Sequence, residues 1–424
     1  MDSAGASDHD GKSILVVGGG IAGITAALEA AEAGARVILI ERSPFLGGRT
    51  AAFHLYFPKL CPPACGLEIN FRRLKNNPRI TVLTQAELES LAGTAGNFKA
   101  TVRLSPRFVS GACTLCGACV EACPAERSDE FNFGLSRTKA IYFPHAMAYP
   151  AAYAIDRSLC PEGCTACANV CRYDAIHLTQ APERRVFSVA AVIAATGWAP
   201  YNAARLAHLG YGTLPNVVTN VVLERMAAPN GPTRGKIVRP SDGKPPESVA
   251  FVQCAGSRDE NHLPYCSSVC CSASLKHSAY IHAEHPEVPV SVFYIDIRTP
   301  GLLDEFRARV TADSHLTLVK GRVGRIEEDP NTHDLFVTVE DALAGRKSIR
   351  KFGLVVLATG MVPQSDGLPS GFERDEYGFV ADGAPGFYAA GCAKRPEEVA
   401  ATVRDATGAA LRALPYAVRS GRHE

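Results

Sequence analysis

The chain has no surplus of either charge: 44 Lys+Arg stand against 43 Asp+Glu, a formal net charge of +1. So even a balance excludes a nucleic-acid binder that works through a basic field. It also lacks an unbroken apolar run. The longest apolar region, Ile14 to Ile40, is cut by Gly18-Gly19-Gly20 and by Glu29, Glu32 and Arg36. A spanning helix needs about 20 apolar residues in a row, so any membrane link is expected to run through a partner. The opening MDSAGASDHD is acidic and has no apolar core of a secretory leader. No short repeat or low-complexity tract occurs, and no Ser–His–Asp or paired-carboxylate constellation argues for hydrolysis. The 12 histidines show no metal-ligand pairing, and His54, His145, His262 and His277 are expected to be structural or surface residues.

Length and cysteine are what the chain does have. Its 424 residues suit two or three domains, and 46% apolar residues exclude disorder as the overall state. Most of the 15 cysteines sit two to four residues apart, the spacing of metal ligands. Without a leader, this reads as a reduced, cytoplasmic protein that holds metal clusters.

Ser13 to Val17 (SILVV) reads as a buried strand, followed by GGGIAG and an Ala-rich helix that Gly34 ends. ARVILIE is the next strand and closes on Glu41. Gly18, Gly20 and Gly23 thus form G-x-G-x-x-G between a strand and a helix, with an acid 18 residues beyond Gly23. Gly18 permits the tight turn, Gly20 the approach of a pyrophosphate, and Gly23 close packing of helix on strand. The helix N-terminus offers free N–H groups to the anion, and Glu41 accepts from a ribose hydroxyl.

FAD is favoured over NAD here. ERSPFLGGRT resembles the E-(x)n-G-G-R extension of flavoproteins with two dinucleotide-binding domains, and brings in Arg42, Gly48 and Arg49. VVLATGMVP and GFYAAGC resemble later segments of that class, which places Thr359, Gly360, Gly391 and Cys392 near the flavin. Leu88 would lie beside the adenine through its backbone. Ala195-Thr196-Gly197 is a second A-T-G, either a ligand contact through Thr196 and Gly197 or a plain strand-end turn.

Near residue 105 the composition changes. CTLCGACVEACP puts Cys113, Cys116, Cys119 and Cys123 at C-x2-C-x2-C-x3-C-P, the bacterial ferredoxin run. CPEGCTACANVC adds Cys160, Cys164, Cys167 and Cys171. The fourth cysteine of each run crosses to the other cluster in such pairs. Cys113, Cys116, Cys119 and Cys171 are therefore expected on one [4Fe–4S], and Cys160, Cys164, Cys167 and Cys123 on the other. Zinc ribbons do not pack four cysteines into eleven residues with a trailing proline.

A second strand–helix–strand pattern runs from SVAFVQC through SASLKHSAYIHAEH to PVSVFYIDI. A nicotinamide-binding loop belongs after its first strand, but the strand runs instead into Gln253-Cys254-Ala255-Gly256. No NAD(P) is therefore expected. Cys254, Cys266, Cys270 and Cys271 either hold a third cluster or are buried free thiols.

These residues resemble a known family. QCAGSRD, YCSSVCCSASLK and FYIDIRTPG are similar to the flavoprotein (A) subunits of heterodisulfide reductases. FPKLCPPACGLE and DEFNFGL are similar, more narrowly, to the A subunits of quinone-interacting membrane-bound oxidoreductase (Qmo) complexes. The resemblance implies a third [4Fe–4S] at the C…C-x3-C-C motif, and that Lys276, five residues past the Cys pair, approaches the flavin. Lys276 and Cys392 are then the candidates nearest the chemistry, Cys392 as a packed thiol rather than a reactive one. For Cys61 and Cys65 three options stay open: a redox pair, ligands shared with a partner, or plain buried thiols.

The expected fold is α/β, a thioredoxin-reductase-like flavoprotein with two dinucleotide-binding domains and an inserted two-cluster ferredoxin-like domain. Residues 1–12 would be a flexible tail and 13–104 the first part of the FAD domain. The insertion would span 105–180, the FAD domain would continue over 181–245 and 351–424, and the second Rossmann-like domain would occupy 246–350. GPTRGKIVRPSDGKPPE, at 231–247, reads as a linker.

FAD takes two electrons together or one at a time, whereas a cluster takes one, so the chain reads as a two-to-one electron converter. By resemblance, it relays electrons between a quinone-linked membrane partner and adenylylsulfate reductase in dissimilatory sulfur metabolism. The expected partners are a second flavin and iron–sulfur protein and a haem b membrane protein, with peripheral membrane association through the latter. The alternative is a soluble heterodisulfide-reductase-like complex acting on a thiol–disulfide substrate, possible flavin-based bifurcation included. The 424 residues contain neither the N-terminal thioredoxin-like extension nor the C-terminal ferredoxin domain of the larger family, so hydrogenase coupling is not expected of them. Anaerobically purified protein is expected to carry about twelve irons per chain by chemical assay, whereas about eight would remove the third cluster.

Overall fold

The computed structural model describes residues 13–418, and the tail expected over 1–12 lies outside the described residues. Two sheets carry the fold. The first runs, in spatial order, Ile80–Thr84, Arg36–Glu41, Ser13–Val17, Glu183–Ala194, Asn97–Leu104 and Ala86–Thr94. Phe387–Ala389 also pairs with Glu183–Ala194.

That 12-residue strand shows how sequence selects environment. Its first half, ERRVFS, is mostly open to solvent and pairs antiparallel with Asn97–Leu104. Its second half, VAAVIA, is buried throughout and pairs in parallel with Ser13–Val17. Parallel strands are covered on both faces and demand such continuous apolar runs. The cover on one face is two helices, Ile21–Glu32 and Val399–Ala417. They meet through Ala26, Ala27, Ala30, Ala406, Ala409, Ala410 and Ala413, all fully buried in one core. Small side chains let the two backbones approach closely.

The second sheet runs Val217–Thr219, Leu354–Thr359, Val249–Ala255, Val290–Tyr294, Leu316–Glu328, Leu335–Asp341 and Arg346–Phe352. Helix Cys270–Glu284 crosses from the third of these strands to the fourth. Val217–Thr219 and Leu354–Thr359, expected in the flavin domain, pair instead in this sheet. The expected linker at 231–247 also behaves differently. Ile237 is buried in the core of the second sheet, and Arg239 Nη1 donates to Asp334 Oδ1 at 3.0 Å. Proline and glycine report backbone shape, not whether one apolar and one charged side chain find partners.

The chain passes between the sheets twice, and Trp198–Pro200 pairs antiparallel with Met361–Pro363 at that crossing. The cysteine-rich region between the strands Asn97–Leu104 and Glu183–Ala194 holds short pieces of structure: the helices Ala118–Glu121 and Ala166–Asn169, and two ribbons, Glu126–Ser128 with Arg137–Lys139 and Ile141–Tyr142 with Ala154–Ile155. Its core is Val109, Ala140, Ile141, Tyr153, Ile155 and Ile176, completed by Cys119, Cys123 and Cys167. No described helix is long and apolar enough to cross a membrane.

One fully buried cation ties the parts together. Arg225, on helix Asn220–Ala227, donates from Nε to Asn132 Oδ1 at 2.9 Å, within the cysteine-rich region. Nη1 reaches the Ala52 carbonyl at 3.3 Å and Nη2 the Asn230 carbonyl at 3.1 Å. Its guanidinium carbon lies 4.7 Å from the Phe131 ring centroid. Arg225→Met would keep the stem but leave these buried acceptors unpaired. A loss of about 3 kcal/mol is expected, read as a lower thermal midpoint and faster proteolysis of the cysteine-rich region.

Candidate functional site

Strand Ser13–Val17 turns into helix Ile21–Glu32 through Gly18, whose φ of +110° suits only glycine. A Cβ on Gly23 would collide with the Gly18 carbonyl oxygen, and one on Gly18 with the Ala195 carbonyl. Two of the three glycines therefore exist for packing. Gly20 is different: nothing but the Gly48 Cα comes near its Cβ position, at 3.9 Å. Gly48 itself has φ +54°, and its own Cβ would sit 2.9 Å from the Gly20 Cα. The two glycines face each other across a cradle that any side chain would fill.

Gly20 caps helix Ile21–Glu32 without a side-chain acceptor, so the first N–H groups are left for a ligand. Glu41 is locked in place. The Gly19 amide donates to its Oε2 at 2.6 Å and the Ser43 amide to its Oε1 at 2.7 Å. Each oxygen keeps a further lone pair for a hydroxyl.

A cavity of about 1410 Å³ opens from this turn. Its wall includes the expected Gly18, Gly20, Glu41, Arg42, Gly48, Arg49, Leu88, Thr196, Gly197, Lys276 and Cys392. Ordinary ligand clefts run to roughly 300–1,000 Å³, so this one has room for an extended dinucleotide. Two details point to an anionic, hydrogen-bonding occupant. Thr196 Oγ1 is buried without a partner. The half-buried Arg49 makes no ion pair among the described residues, and burial, then the charge of Arg42, lowers its pKa. The cradle, the uncapped helix, the fixed carboxylate and a guanidinium held by the Trp198 carbonyl but without a counter-ion fit FAD.

Thr359, Gly360 and Gly391 are not on this wall. Thr359 Oγ1 donates to Asn220 Oδ1 at 2.8 Å. Gly360 is closed in by Ser257, Leu263 and Ser267, and the Gly391 amide donates to Asp405 Oδ2 at 2.9 Å. The sequence reading missed a second helix start on the wall, at Val399, Ala401 and Thr402. Glu398 caps it, accepting from Ala400 and Ala401 amides at 2.7 Å each. An acid just ahead of an Ala-rich run was the available signal. It also missed the aromatic wall of Phe53, Tyr56 and Phe57.

Lys276 is buried beside this aromatic group, with Nζ 5.5 Å from the Phe53 centroid and donating to the Leu55 carbonyl at 2.6 Å. It pairs with the buried Glu224. That carboxylate also accepts from His277 Nε2 and from the His54 amide, both at 2.8 Å. Burial pushes Glu224 upward, but the Lys276 charge and the His277 hydrogen bond win and hold it well below the usual carboxylate range. Burial lowers His277, against the pull of Glu224. Cys392 Sγ faces the Glu397 carbonyl at 3.4 Å, and burial pushes its thiol up to about 11. It is a packed, protonated thiol.

The ferredoxin-like cysteines gather into two small pockets. One is lined by Cys113, Cys116, Cys119 and Cys171, the other by Cys123, Cys160, Cys164 and Cys167. The fourth member of each run is exchanged. Burial, then the neighbouring Cys113, pushes Cys119 up to about 11. Among the described residues no group of side chains converges as a single-ion site does. Four soft donors spread around a pocket suit an iron–sulfur cube better than one zinc ion.

Cys254, Cys266, Cys270 and Cys271 also come together. Strand Val249–Ala255 and helix Cys270–Glu284 are separated by the loop 256–269, where a phosphate-binding turn would be short. Burial raises Cys254 and Cys270, and the other cysteines of the group raise both further. Ser268, Val269, Ser272 and Ala273 lie on the large cavity's wall, so thiol group and cavity share one layer of side chains. Cys61 and Cys65 flank the start of helix Pro63–Asn76, half-buried and exposed. The Tyr56 amide donates to the Cys61 carbonyl at 3.0 Å, which puts Tyr56 between that pair and the cavity.

Comparison with known proteins agrees with this geometry. Residues 13–61 match the FAD dependent oxidoreductase family and residues 106–126 the 4Fe-4S binding domain family. The chain is 39% identical over 419 residues to the iron-sulfur A subunit of the CoB–CoM heterodisulfide reductase of Methanocaldococcus jannaschii, covering 94% of this chain and 63% of that one. It is 37% identical over 418 residues to the A subunit of the H(2):CoB-CoM heterodisulfide,ferredoxin reductase of Methanothermobacter thermautotrophicus, with the same 94% and 63% covered. The A subunit of the Ferredoxin:CoB-CoM heterodisulfide reductase of Methanosarcina acetivorans is 35% identical over 453 residues, covering 95% of this chain and 56% of that one. The chain thus spans less than two thirds of the length of these relatives. Among solved structures, T. acidophilum thioredoxin reductase superposes with a TM-score of 0.53 at 16% identity, covering 95% of this chain and 98% of that one. Lactococcus lactis thioredoxin reductase gives 0.52 at 12%, covering 96% and 99%. The fold is thioredoxin-reductase-like with a 4Fe–4S domain added.

Gly48→Val would fill the cradle against Gly20 and strain a left-handed position. FAD binding is expected to weaken at least about tenfold, the equivalent of ~1.4 kcal/mol, with iron content unchanged, read from flavin absorbance and iron assay on one sample.

Proposed function

We propose that this chain, whose homologues are the A-type flavoprotein subunits of heterodisulfide reductases, is an FAD- and iron–sulfur-containing electron-transfer subunit of that kind, working in a complex on a thiol–disulfide substrate. The observation that carries the reading is the shared wall: one dinucleotide cavity is lined by Ser268, Val269, Ser272 and Ala273, which flank Cys270 and Cys271, and also by Asp129, Phe131, Thr138 and Tyr142 of the cysteine-rich region. Tyr142 adjoins Ile141, which lines the Cys123/Cys160/Cys164/Cys167 pocket. Thiol groups one layer of side chains behind the same cavity give electrons a route through it.

Bound FAD supplies the exchange between paired and single electrons. The chain's own residues bind and orient. The uncapped N-terminus at Ile21 and the guanidinium of Arg49 hold the pyrophosphate, and Glu41 holds a ribose hydroxyl. Glu224 and the Leu55 carbonyl hold the Lys276 ammonium at the wall, a fixed positive charge beside the aromatic group. The insertion at 105–180 holds two [4Fe–4S] clusters in the exchanged arrangement, and Cys254, Cys266, Cys270 and Cys271 hold a third.

The named relatives support the heterodisulfide reading over the quinone-linked one expected first. The quinone-linked reading, with a haem b membrane protein and adenylylsulfate reductase as partners, keeps one support. DEFNFGL, on which that narrower resemblance rests, contributes Asp129, Glu130, Phe131 and Phe133 to the cavity wall.

The native complex, isolated without oxygen, separates the two. Turnover of a heterodisulfide or a related low-molecular-weight disulfide with a reduced viologen dye, without response to a quinol analogue, is the expected result. Reduction of flavin and clusters by the quinol analogue, with a haem b protein in the preparation, would replace this reading by the quinone-linked one.

A further inference from the structure

The Cys254/Cys266/Cys270/Cys271 group is enclosed on its inner side. Cys270 and Cys271 are buried at the start of helix Cys270–Glu284, and the Cys270 thiol points at the Thr359 carbonyl at 3.7 Å. Beside it the Cys271 thiol donates to the Asp296 carbonyl at 3.7 Å, and the Asp296 carboxylate holds two arginines. Arg258 Nη1 donates to Asp296 Oδ1 at 2.5 Å, and Arg298 donates from Nη2 and Nε to Asp296 Oδ2 at 3.2 and 3.4 Å. The charge of Arg258 acts on Cys254 and that of Arg298 on Cys271. The Ser268 amide adds a donor to Cys266 Sγ at 3.4 Å.

The backbone is bent to make this possible. Cys254, Arg258 and Ser268 have φ of +57°, +59° and +61°, a left-handed conformation that non-glycine residues seldom adopt. Three such residues in fifteen positions mark a loop shaped by what it surrounds. An ordinary surface ion pair needs no such loop and contributes little. Here one carboxylate uses each oxygen to hold one guanidinium, and its own backbone carbonyl meets the Cys271 thiol.

We propose that Arg258 and Arg298, aligned by Asp296, are positioning residues that raise the potential at which the Cys254/Cys266/Cys270/Cys271 site exchanges an electron with the flavin. The proposal rests on the reading of that site as an iron–sulfur cluster. The exchange moves one electron: one centre loses what the other gains, and no bond forms or breaks. Four thiolates around iron carry net negative charge, and reduction adds to it. Cationic side chains beside the sulfurs stabilise the reduced form, because net charge and hydrogen bonding set such potentials. Asp296 offsets part of the field, and half-exposure of Arg298 screens it further.

The test is Arg298→Gln in the full chain, purified anaerobically and followed by electron paramagnetic resonance during a redox titration. At fixed poise the third cluster is expected to be about tenfold less reduced than in the unaltered chain, about 59 mV for a one-electron couple. The two ferredoxin-like clusters and the flavin should not move. Arg298→Lys, which restores the charge, should recover most of the shift. An unchanged third-cluster potential in Arg298→Gln and Arg258→Gln, with full iron, overturns the proposal. If Arg298→Gln loses iron, Arg298→Lys decides: recovery of both iron and potential supports it, and failure to recover overturns it. About eight irons in the unaltered chain would instead remove the third cluster and the reading beneath the proposal.

Discussion

A buried thiol cannot ionise unaided. Removal from water opposes the thiolate, and every neighbouring thiolate opposes it again. This constraint governs the cysteine-rich parts of the molecule. Burial pushes Cys119 up to about 11 and raises Cys254, Cys270 and Cys271 as well. When metal loads such sites it displaces the protons, and loading is then coupled to folding. The core of the inserted region shows the dependence directly. It is small, and three of its fully packed members, Cys119, Cys123 and Cys167, are themselves candidate ligands.

The dinucleotide pocket obeys the opposite rule. There the protein brings polar backbone to a surface and leaves it unpaired. Uncapped N–H groups at Ile21, a carboxylate braced by two amides, and facing glycines at positions 20 and 48 are all arranged before any ligand arrives. Lys276 and Glu224 add a buried ion pair at the far wall. Such a pair is costly to desolvate and stays put only because Leu55, His54 and His277 complete its hydrogen bonds.

Much of this was legible in the sequence because it rests on local spacing. The first strand–glycine–helix unit and its terminal acid are decided within about thirty residues, and the cysteine runs are just as local. The loss of a phosphate-binding turn before Cys254 was visible as a missing motif. What escaped depended on distant pairing. Val217–Thr219 and Leu354–Thr359 change sheets because of strand partners far along the chain, which no composition window reports. Arg239 and Ile237 anchor a stretch that reads as a linker, because two side chains outweigh the prolines around them. Thr359 and Gly360 carry a flavin-class motif yet turn toward Asn220 and the Ser257–Ser267 loop. The aromatic wall at Phe53–Phe57 had no spacing to announce it.

The crossing ribbon of Trp198–Pro200 and Met361–Pro363 has a kinetic meaning. Two connections hydrogen-bonded to each other resist twisting separately, and Arg225 independently ties helix Asn220–Ala227 to Ala52 and Asn132. For the proposed electron transfer, a junction tied in this way would keep the gap between donor and acceptor from changing with domain rotation. Tunnelling rates fall steeply with such a gap, so a fixed one leaves driving force, rather than domain swinging, as the variable that selection can adjust.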